Sequence, residues 1–133
     1  MKFSISNTIR TNNFTDPDIQ TKLMNLWKEN AAFIQQANEK KQTVAAIYHD
    51  YESDYKGDYS VSIAKESDSD DAFDTTMYQW KEYSVDRSDS LGVLNAWKQV
   101  WADEDAQVID RVYDFDFERY SPSGEIAILI AVK

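Results

Sequence analysis

The first regular pattern along the chain is a helical repeat of apolar positions. Ahead of it, Asp16-Pro17-Asp18 supplies an N-cap residue, a proline suited to the first helical position and an acidic residue in the first turn. The apolar positions that follow at helical spacing are Ile19, Leu23, Leu26, Trp27 and Ile34. Together these signals predict a helix from about Pro17 to Gln36.

A second helix is predicted in the other half of the chain. Ser88-Asp89-Ser90 can cap its start, and Leu94, Trp97 and Trp101 then fall on one face at helical spacing. This face is apolar and aromatic, so we expect it to pack against a sheet.

Other segments alternate apolar and polar residues or are rich in β-branched and aromatic residues, which indicates strands. The predicted strands are 2–10, 43–51, 59–64, 77–86, 108–120 and 126–132, the fifth being strongest from Arg111. Strand 126–132 is apolar on both faces, which favours an interior position in a sheet.

The two halves of the chain repeat each other in sequence. The matched segments are Asn25–Lys28 with Asn95–Lys98, Tyr51-Glu52 with Phe117-Glu118, and Gly57–Ala64 with Gly124–Ala131. They occur in the same order and in the same kinds of predicted element, which indicates an internal duplication. The predicted fold class is therefore α+β, a duplicated strand–helix–strand–strand unit with pseudo-two-fold symmetry, antiparallel sheets and two main helices.

The length of 133 residues fits one domain. We place the first repeat at about 1–65 and the second at about 77–133. The acidic segment 66–76 between them lacks periodicity and is predicted to be a mobile connection. A crevice at the axis between two such units is a natural place for a ligand.

Composition excludes several function classes. The net charge is −10, from 24 acidic against 14 basic residues, and no basic stripe is present, so we do not expect nucleic-acid binding. With no cysteine and one histidine, His49, no disulfide, metal site or cofactor is expected. The first residues do not resemble a signal peptide, and no apolar stretch could span a membrane, so a cytoplasmic location is expected.

Alternation along 111–120 separates two kinds of side chain. Asp114, Asp116, Glu118 and Tyr120 share one face, whereas Tyr113, Phe115 and Phe117 share the other. We expect the apolar face to pack on the helices, which leaves the acidic face turned toward solvent or toward a crevice. The first unit would add Tyr48 and Asp50 to the same groove, and Trp80, Trp97 and Tyr120 are further candidates to line it. Carboxylates among aromatic rings suit a cation.

A longer motif carries a family resemblance. Ile47–Tyr59, which reads IYHDYESDYKGDY, resembles a motif of stand-alone AraC-type effector-binding proteins of the GyrI-like superfamily, most closely the integron-associated effector-binding proteins. Phe117–Tyr120 followed by Ile128–Lys133 is similar to the last hairpin of that superfamily. Trp27 and the pair Trp97 and Trp101 match its helix tryptophans.

The resemblance implies a function and a site. Members serve as ligand-sensing modules linked to transcription regulation, and those that bind many drugs favour bulky aromatic cations held by a buried glutamate among aromatic rings. Glu118 stands where that glutamate would be, with Trp97 and Trp101 as neighbours. The implied partners are a cationic, aromatic small molecule and a regulator encoded separately.

Other interpretations remain open at this stage. Tryptophans at helical spacing are commonly core residues, and the tyrosines between Tyr51 and Tyr59 can be cross-strand packing. Some GyrI-like relatives hydrolyse strained electrophiles, a role in which Glu118 and Tyr120 could act; binding without catalysis is the favoured alternative. An acidic surface could also bind a protein partner as an inhibitor.

Overall fold

The computed structural model describes residues 1–68 and 73–133, which form a curled sheet with helices on one of its faces. Its strands are β1 (Lys2–Thr11), β2 (Val44–His49), β3 (Tyr59–Glu66), β4 (Phe73–Asp74), β5 (Gln79–Ser84), β6 (Phe115–Tyr120) and β7 (Ile126–Val132). The α-helices are α1 (Ile19–Glu29), α2 (Ala31–Glu39) and α3 (Gly92–Asp105), and a 3-10 turn spans Thr75–Met77.

The order of the strands shows the duplication. The strands pair antiparallel in the order β4-β1-β3-β2-β6-β7-β5. The first half contributes β1-β3-β2 and the second half contributes the corresponding strands in reverse order, β6-β7-β5. The two halves join where β2 pairs with β6. Each half also has the chain order strand, helix, strand, strand, with the first helical region split in two. The predicted α+β class is confirmed, and β7 is an interior strand as expected.

The two faces of the sheet carry different cores. On one face, α1 covers the first half through Leu26 and α2 through Phe33 and Ile34, while α3 covers the second half through Val100. On the other face, Phe115 and Phe117 pack with residues contributed by other strands, including Phe3 of β1. The expectation that the apolar face of β6 packs on the helices is therefore wrong, because the curled sheet buries that face against itself.

The helix predicted from 17 to 36 is interrupted at Asn30. The buried Asn30 side chain donates from Nδ2 to the Leu26 carbonyl over 2.7 Å and accepts from the Ser6 hydroxyl over 2.8 Å. The side chain thus takes the carbonyl that the Asn30 backbone N–H would use in a continuous helix. The element continues as α2, so the chain has three α-helices among its described residues, not two.

Two further segments differ from expectation. The predicted connection 66–76 contains β4, which pairs with β1, and the first residues of the 3-10 turn; residues 69–72 lie outside the described part of the chain. Strand β6 begins at Phe115, later than predicted, because Tyr113 has a φ of 61° and breaks the extended backbone. Within residues 1–68 and 73–133, no helix is long and apolar enough to cross a membrane.

Candidate functional site

A cavity of about 460 Å³ lies over the central strands, on the face of the sheet that carries the helices. Helix α1 lines it with Ile19 and Leu23, and α3 lines it with Leu94. The aromatic residues of its wall are Tyr48, Tyr51, Tyr55, Tyr59, Trp97 and Trp101. Its charged lining residues are Arg111 and Glu118. The lining therefore combines aromatic rings and aliphatic side chains with a few polar groups.

The Glu118 carboxylate is buried and held by three neutral donors. Tyr48 Oη donates to Oε2 over 2.6 Å, and Trp97 Nε1 donates to the same oxygen over 2.7 Å. Tyr120 Oη donates to Oε1 over 2.6 Å. The side chain is 4% exposed, and no ion pair within the described residues includes it. The hydrogen-bond partners of this carboxylate among the described residues are thus all neutral donors.

The tyrosines around this carboxylate are fixed as hydrogen-bond donors. Burial, together with the adjacent Glu118 charge, raises the pKa of Tyr48 and of Tyr120 well above the ordinary value. Burial likewise raises the pKa of Tyr59, whose ring lies 5.7 Å from that of Tyr48. These phenols therefore remain neutral across the physiological pH range; Tyr48 and Tyr120 donate to the carboxylate, whereas Tyr59 donates to Asn13 Oδ1.

A second buried carboxylate lies two residues away on the same face of β6. Asp116 is fully buried and accepts from Arg111 Nη2 over 2.7 Å, from Tyr51 Oη over 2.5 Å and from the backbone N–H of Ala131 over 2.8 Å. Unlike Glu118, it has a cationic partner. This ion pair fixes Arg111 at the cavity wall.

The Arg111 guanidinium is charged but only partly satisfied. Burial disfavours its charged form, yet the Asp116 carboxylate outweighs burial and raises the pKa of Arg111 further. The guanidinium lies 4.2 Å from the centre of the Tyr113 ring, and Nη1 is 3.7 Å from Glu104 Oε1. The buried Nε and Nη1 atoms have no hydrogen-bond partner among the described residues.

The structure brings together most of the residues singled out from the sequence. Trp97, Trp101, Tyr48 and Glu118 line the cavity. Tyr120 contacts the site through its hydrogen bond to Glu118 and packs edge-on against Trp27, with ring centres 5.1 Å apart. Asp116 lies beneath the wall and contacts it through Arg111 and Tyr51.

Two predicted site residues lie elsewhere. Trp80 packs against Phe115 and Phe117, which alternate with Asp116 and Glu118 and so occupy the opposite face of the sheet. Asp50 has a φ of 51°, so the chain turns out of β2 and its carboxylate lies exposed beside His49 Nδ1, at 3.2 Å. Neither residue is part of the cavity.

Sequence reasoning missed Arg111 as a site residue. An arginine is rarely buried, and this one precedes the regular part of β6, where alternation gives no information about its direction. Its burial follows from an isolated bridge to Val132 and from the covering tyrosine rings, both of which are tertiary features. The one signal in the sequence that could have pointed to Arg111 is that this basic residue lies close to four acidic residues in an acidic chain.

The electrostatic balance of the site is negative. Glu118, Asp116 and Glu104 contribute three carboxylates within or beside the cavity wall, against the one guanidinium of Arg111. The described part of the chain has no group of three or more His, Cys, Asp or Glu side chains arranged to hold a metal ion. The arrangement can therefore offer a cation one unpaired carboxylate, aromatic faces and aliphatic surface.

Comparison with known proteins gives two similarities. A curated protein of Bacillus subtilis (strain 168), named "Putative transcriptional regulator protein YobU", is 25% identical over 123 residues, covering 81% of this chain and 75% of that protein. The crystal structure of the integron cassette protein VCH_CASS2, from the mobile metagenome of Vibrio cholerae, matches with a TM-score of 0.68 and 23% identity, covering 98% of this chain and 94% of that one. No family model matches the chain. The chain is thus similar in sequence to a protein named as a regulator, and it shares its fold with an integron cassette protein.

Proposed function

We propose that this chain is a small-molecule-binding protein whose cavity takes hydrophobic aromatic cations and which acts as an effector-binding module in transcription regulation. The observation that carries the proposal is the buried Glu118 carboxylate, which has three neutral hydrogen-bond donors but no cation within the described residues. A buried charge of this kind is stabilised strongly when a cation of complementary shape comes into contact with it.

The walls of the cavity support the same ligand class. The rings of Tyr48 and Trp97 meet at a centroid distance of 4.8 Å beside Glu118, so they are close to any group that contacts the carboxylate. Each aromatic face can add about 0.5–2 kcal/mol of cation–π attraction. Leu23 and Leu94 add apolar area, which favours ring systems without demanding one particular shape.

The regulatory part of the proposal rests on similarity. The relative named as a transcriptional regulator covers most of this chain, and the sequence motifs resemble AraC-type effector-binding domains of the GyrI-like superfamily. The proposal assigns ligand sensing to the one sheet and its helices that the structure describes, and it takes a separately encoded regulator as the partner that would read the signal.

The direct test is a calorimetric titration with two probes of similar shape and different charge. The cation is tetraphenylphosphonium and the control is neutral tetraphenylmethane, each carrying the same short oligo(ethylene glycol) chain on one ring for solubility in water. We expect the cation to bind at least tenfold more tightly. Equal affinities, or no binding of either probe and of smaller aromatic cations, would reject the proposal.

One observation favours a hydrolytic alternative. The Glu118 carboxylate receives three hydrogen bonds within the described residues, which leaves one of its roughly four acceptor positions able to orient a water molecule. Tyr120 does not line the cavity, so Tyr48 would be the donor to a leaving atom. Mass spectrometry of reactive electrophiles incubated with the protein tests this, and the absence of turnover that depends on Glu118 would reject it.

A further inference from the structure

The cavity has two ends of different character, one buried and charged, the other aromatic and close to the protein surface. At the buried end, Trp97 donates to the Glu118 carboxylate. Trp101 follows Trp97 by four residues, so it lies on the same face of α3, about 6 Å further along the helix axis. There its ring stacks on the ring of Tyr55, with the centres 5.4 Å apart and the planes inclined by 9°. Both rings of this pair line the cavity.

The Tyr55 side chain is held by contacts at the surface. Its hydroxyl donates to Asp105 over 3.0 Å in an exposed hydrogen bond. Phe14, which is 59% exposed, packs against the pair, with its ring centre 6.0 Å from that of Tyr55 and 5.8 Å from that of Trp101. Aromatic pairs and exposed hydrogen bonds each contribute little stability, so the Tyr55 ring can leave Trp101 with a small loss of free energy.

The backbone of Tyr55, in contrast, is fixed on both sides. Its N–H donates to the Tyr113 hydroxyl over 3.2 Å, and its carbonyl accepts from Asn13 Nδ2 over 3.4 Å. The carbonyl of the next residue, Lys56, accepts from Asn12 Nδ2 over 3.0 Å. The part of Tyr55 that can move without disturbing the loop is therefore its side chain, by rotation about its side-chain bonds.

We propose that Tyr55 determines how long a ligand the cavity accepts: its ring rotates away from Trp101, and a second flat ring of a long ligand stacks on Trp101 in its place. This inference rests on the proposed function and specifies the ligand further. A ligand whose charge contacts Glu118 reaches Trp101 with a second ring in line with the first, since Trp101 lies about one helical turn beyond Trp97. The ligand class is thus an aromatic cation with two or more rings arranged in line.

The test compares cations of different length by isothermal titration calorimetry. The short probe is benzyltrimethylammonium, and two long probes carry one or two further phenyl rings in line at the para position. In the wild-type protein, stacking of the second ring on Trp101 is offset by loss of the Tyr55 stack. We therefore expect Tyr55→Ala to raise the affinity of at least one long probe about three- to tenfold, and to change that of the short probe less than about twofold.

Two further variants identify the surface on which the second ring stacks. Tyr55→Phe keeps the stack and removes the hydrogen bond to Asp105, so it should act in the same direction as Tyr55→Ala but less strongly, and it carries the test if the alanine variant does not fold. Trp101→Leu, added to Tyr55→Ala, keeps an apolar side chain but removes the flat surface, so it should abolish the gain of the long probe.

Tyr78→Ala is the matched control. Tyr78 likewise donates from its hydroxyl to an aspartate, Asp114, and packs edge-on against a tryptophan, but this tryptophan is Trp80 on the opposite face of the sheet. The substitution should change the affinity of neither the short nor the long probes.

The outcomes separate this inference from the proposed function. If Tyr55→Ala raises the affinity of neither long probe relative to the short one, Tyr55 is a fixed wall and the inference is refuted. If the gain survives Trp101→Leu, the second ring binds elsewhere and the inference is also refuted. In both cases a loss of short-probe affinity of roughly tenfold or more in Glu118→Gln leaves the cation site standing. If Glu118→Gln does not weaken the short probe, or no probe binds, the proposed function itself fails and this inference fails with it.

Discussion

The substitution Glu118→Gln separates the charge of the site from its shape. Trp97 Nε1 and Tyr48 Oη both donate to Oε2, and the indole can only donate, so the glutamine carbonyl would take this position. The glutamine NH₂ group then faces Tyr120, whose hydroxyl can rotate and accept the hydrogen bond. The three partners can thus be kept, and we expect the folded structure to tolerate the change.

The magnitude of the effect on binding follows from the burial of Glu118. At an effective dielectric constant near 20, a cation 4 Å from the carboxylate gains about 4 kcal/mol, and removing water from both charges reduces this gain. Hydrogen bonds to charged groups, which are a comparable case, contribute about 1.5–3 kcal/mol net. We therefore expect Glu118→Gln to weaken the binding of tetraphenylphosphonium roughly ten- to a hundredfold.

The assay is isothermal titration calorimetry of wild-type and Glu118→Gln protein with the cation and with the neutral control probe. The neutral probe should bind equally to both proteins. In urea unfolding, the free energy of unfolding of the variant should be no more than about 1 kcal/mol below that of the wild type. Unchanged cation affinity in a folded variant would refute the ion-pair reasoning. An equal loss for both probes would show that the substitution altered the shape of the cavity instead.

Three further predictions follow from the geometry. Trp97→Phe should weaken cation binding roughly three- to thirtyfold in the same titration, whereas Trp80→Phe, on the opposite face of the sheet, should leave the affinity unchanged; equal effects would contradict this placement. Arg111→Met should lower the free energy of unfolding in urea by about 3–5 kcal/mol, because it leaves the buried Asp116 carboxylate without its cationic partner. Arg119→Met, which removes an exposed ion pair, should lower it by less than about 1 kcal/mol, and similar losses for the two variants would refute the argument. Burial raises the pKa of Tyr48 in the folded state, so its contribution to stability is fully present below pH about 10 and is lost as the pH rises further. Tyr48→Phe should therefore reduce the alkaline slope of stability by up to about 1.4 kcal/mol per pH unit in urea titrations at pH 10–12, and an unchanged slope would contradict this.

The duplication was readable from the sequence, but its register was not. The alignment of Tyr51-Glu52 with Phe117-Glu118 is wrong, because β2 ends at His49 and Glu52 lies beyond it in the exposed turn. With Gly57 matched to Gly124, the pairing of the two hairpins places Tyr48 at the position that Glu118 occupies in the second half. The two equivalent residues are joined by a hydrogen bond across the central strands. Short sequence matches cannot fix such a register, because turns of different length shift it by several residues.

The sequence by itself determined which side chains share a face. Period-two alternation in β6 put Asp116, Glu118 and Tyr120 together, and helical periodicity put Trp97 and Trp101 on one side of α3. These relations depend only on local backbone geometry, so they persist in the folded protein where the strand is regular. The same alternation was wrong for Tyr113, because its left-handed backbone precedes β6 and its ring packs against Arg111 and Tyr51 at the cavity.

Only the tertiary structure decided what each face meets. The curl of the sheet buried the phenylalanine face of β6 against other strands and turned the acidic face toward the helices. Trp80 of β5 and Trp97 of α3, which the sequence predicted to line one groove, lie on opposite faces of the sheet. The burial of Arg111 depends on the left-handed backbone at Tyr113 and on rings from distant segments. Long-range packing of this kind leaves no periodic trace in the sequence, because the residues involved meet only after the sheet has curled.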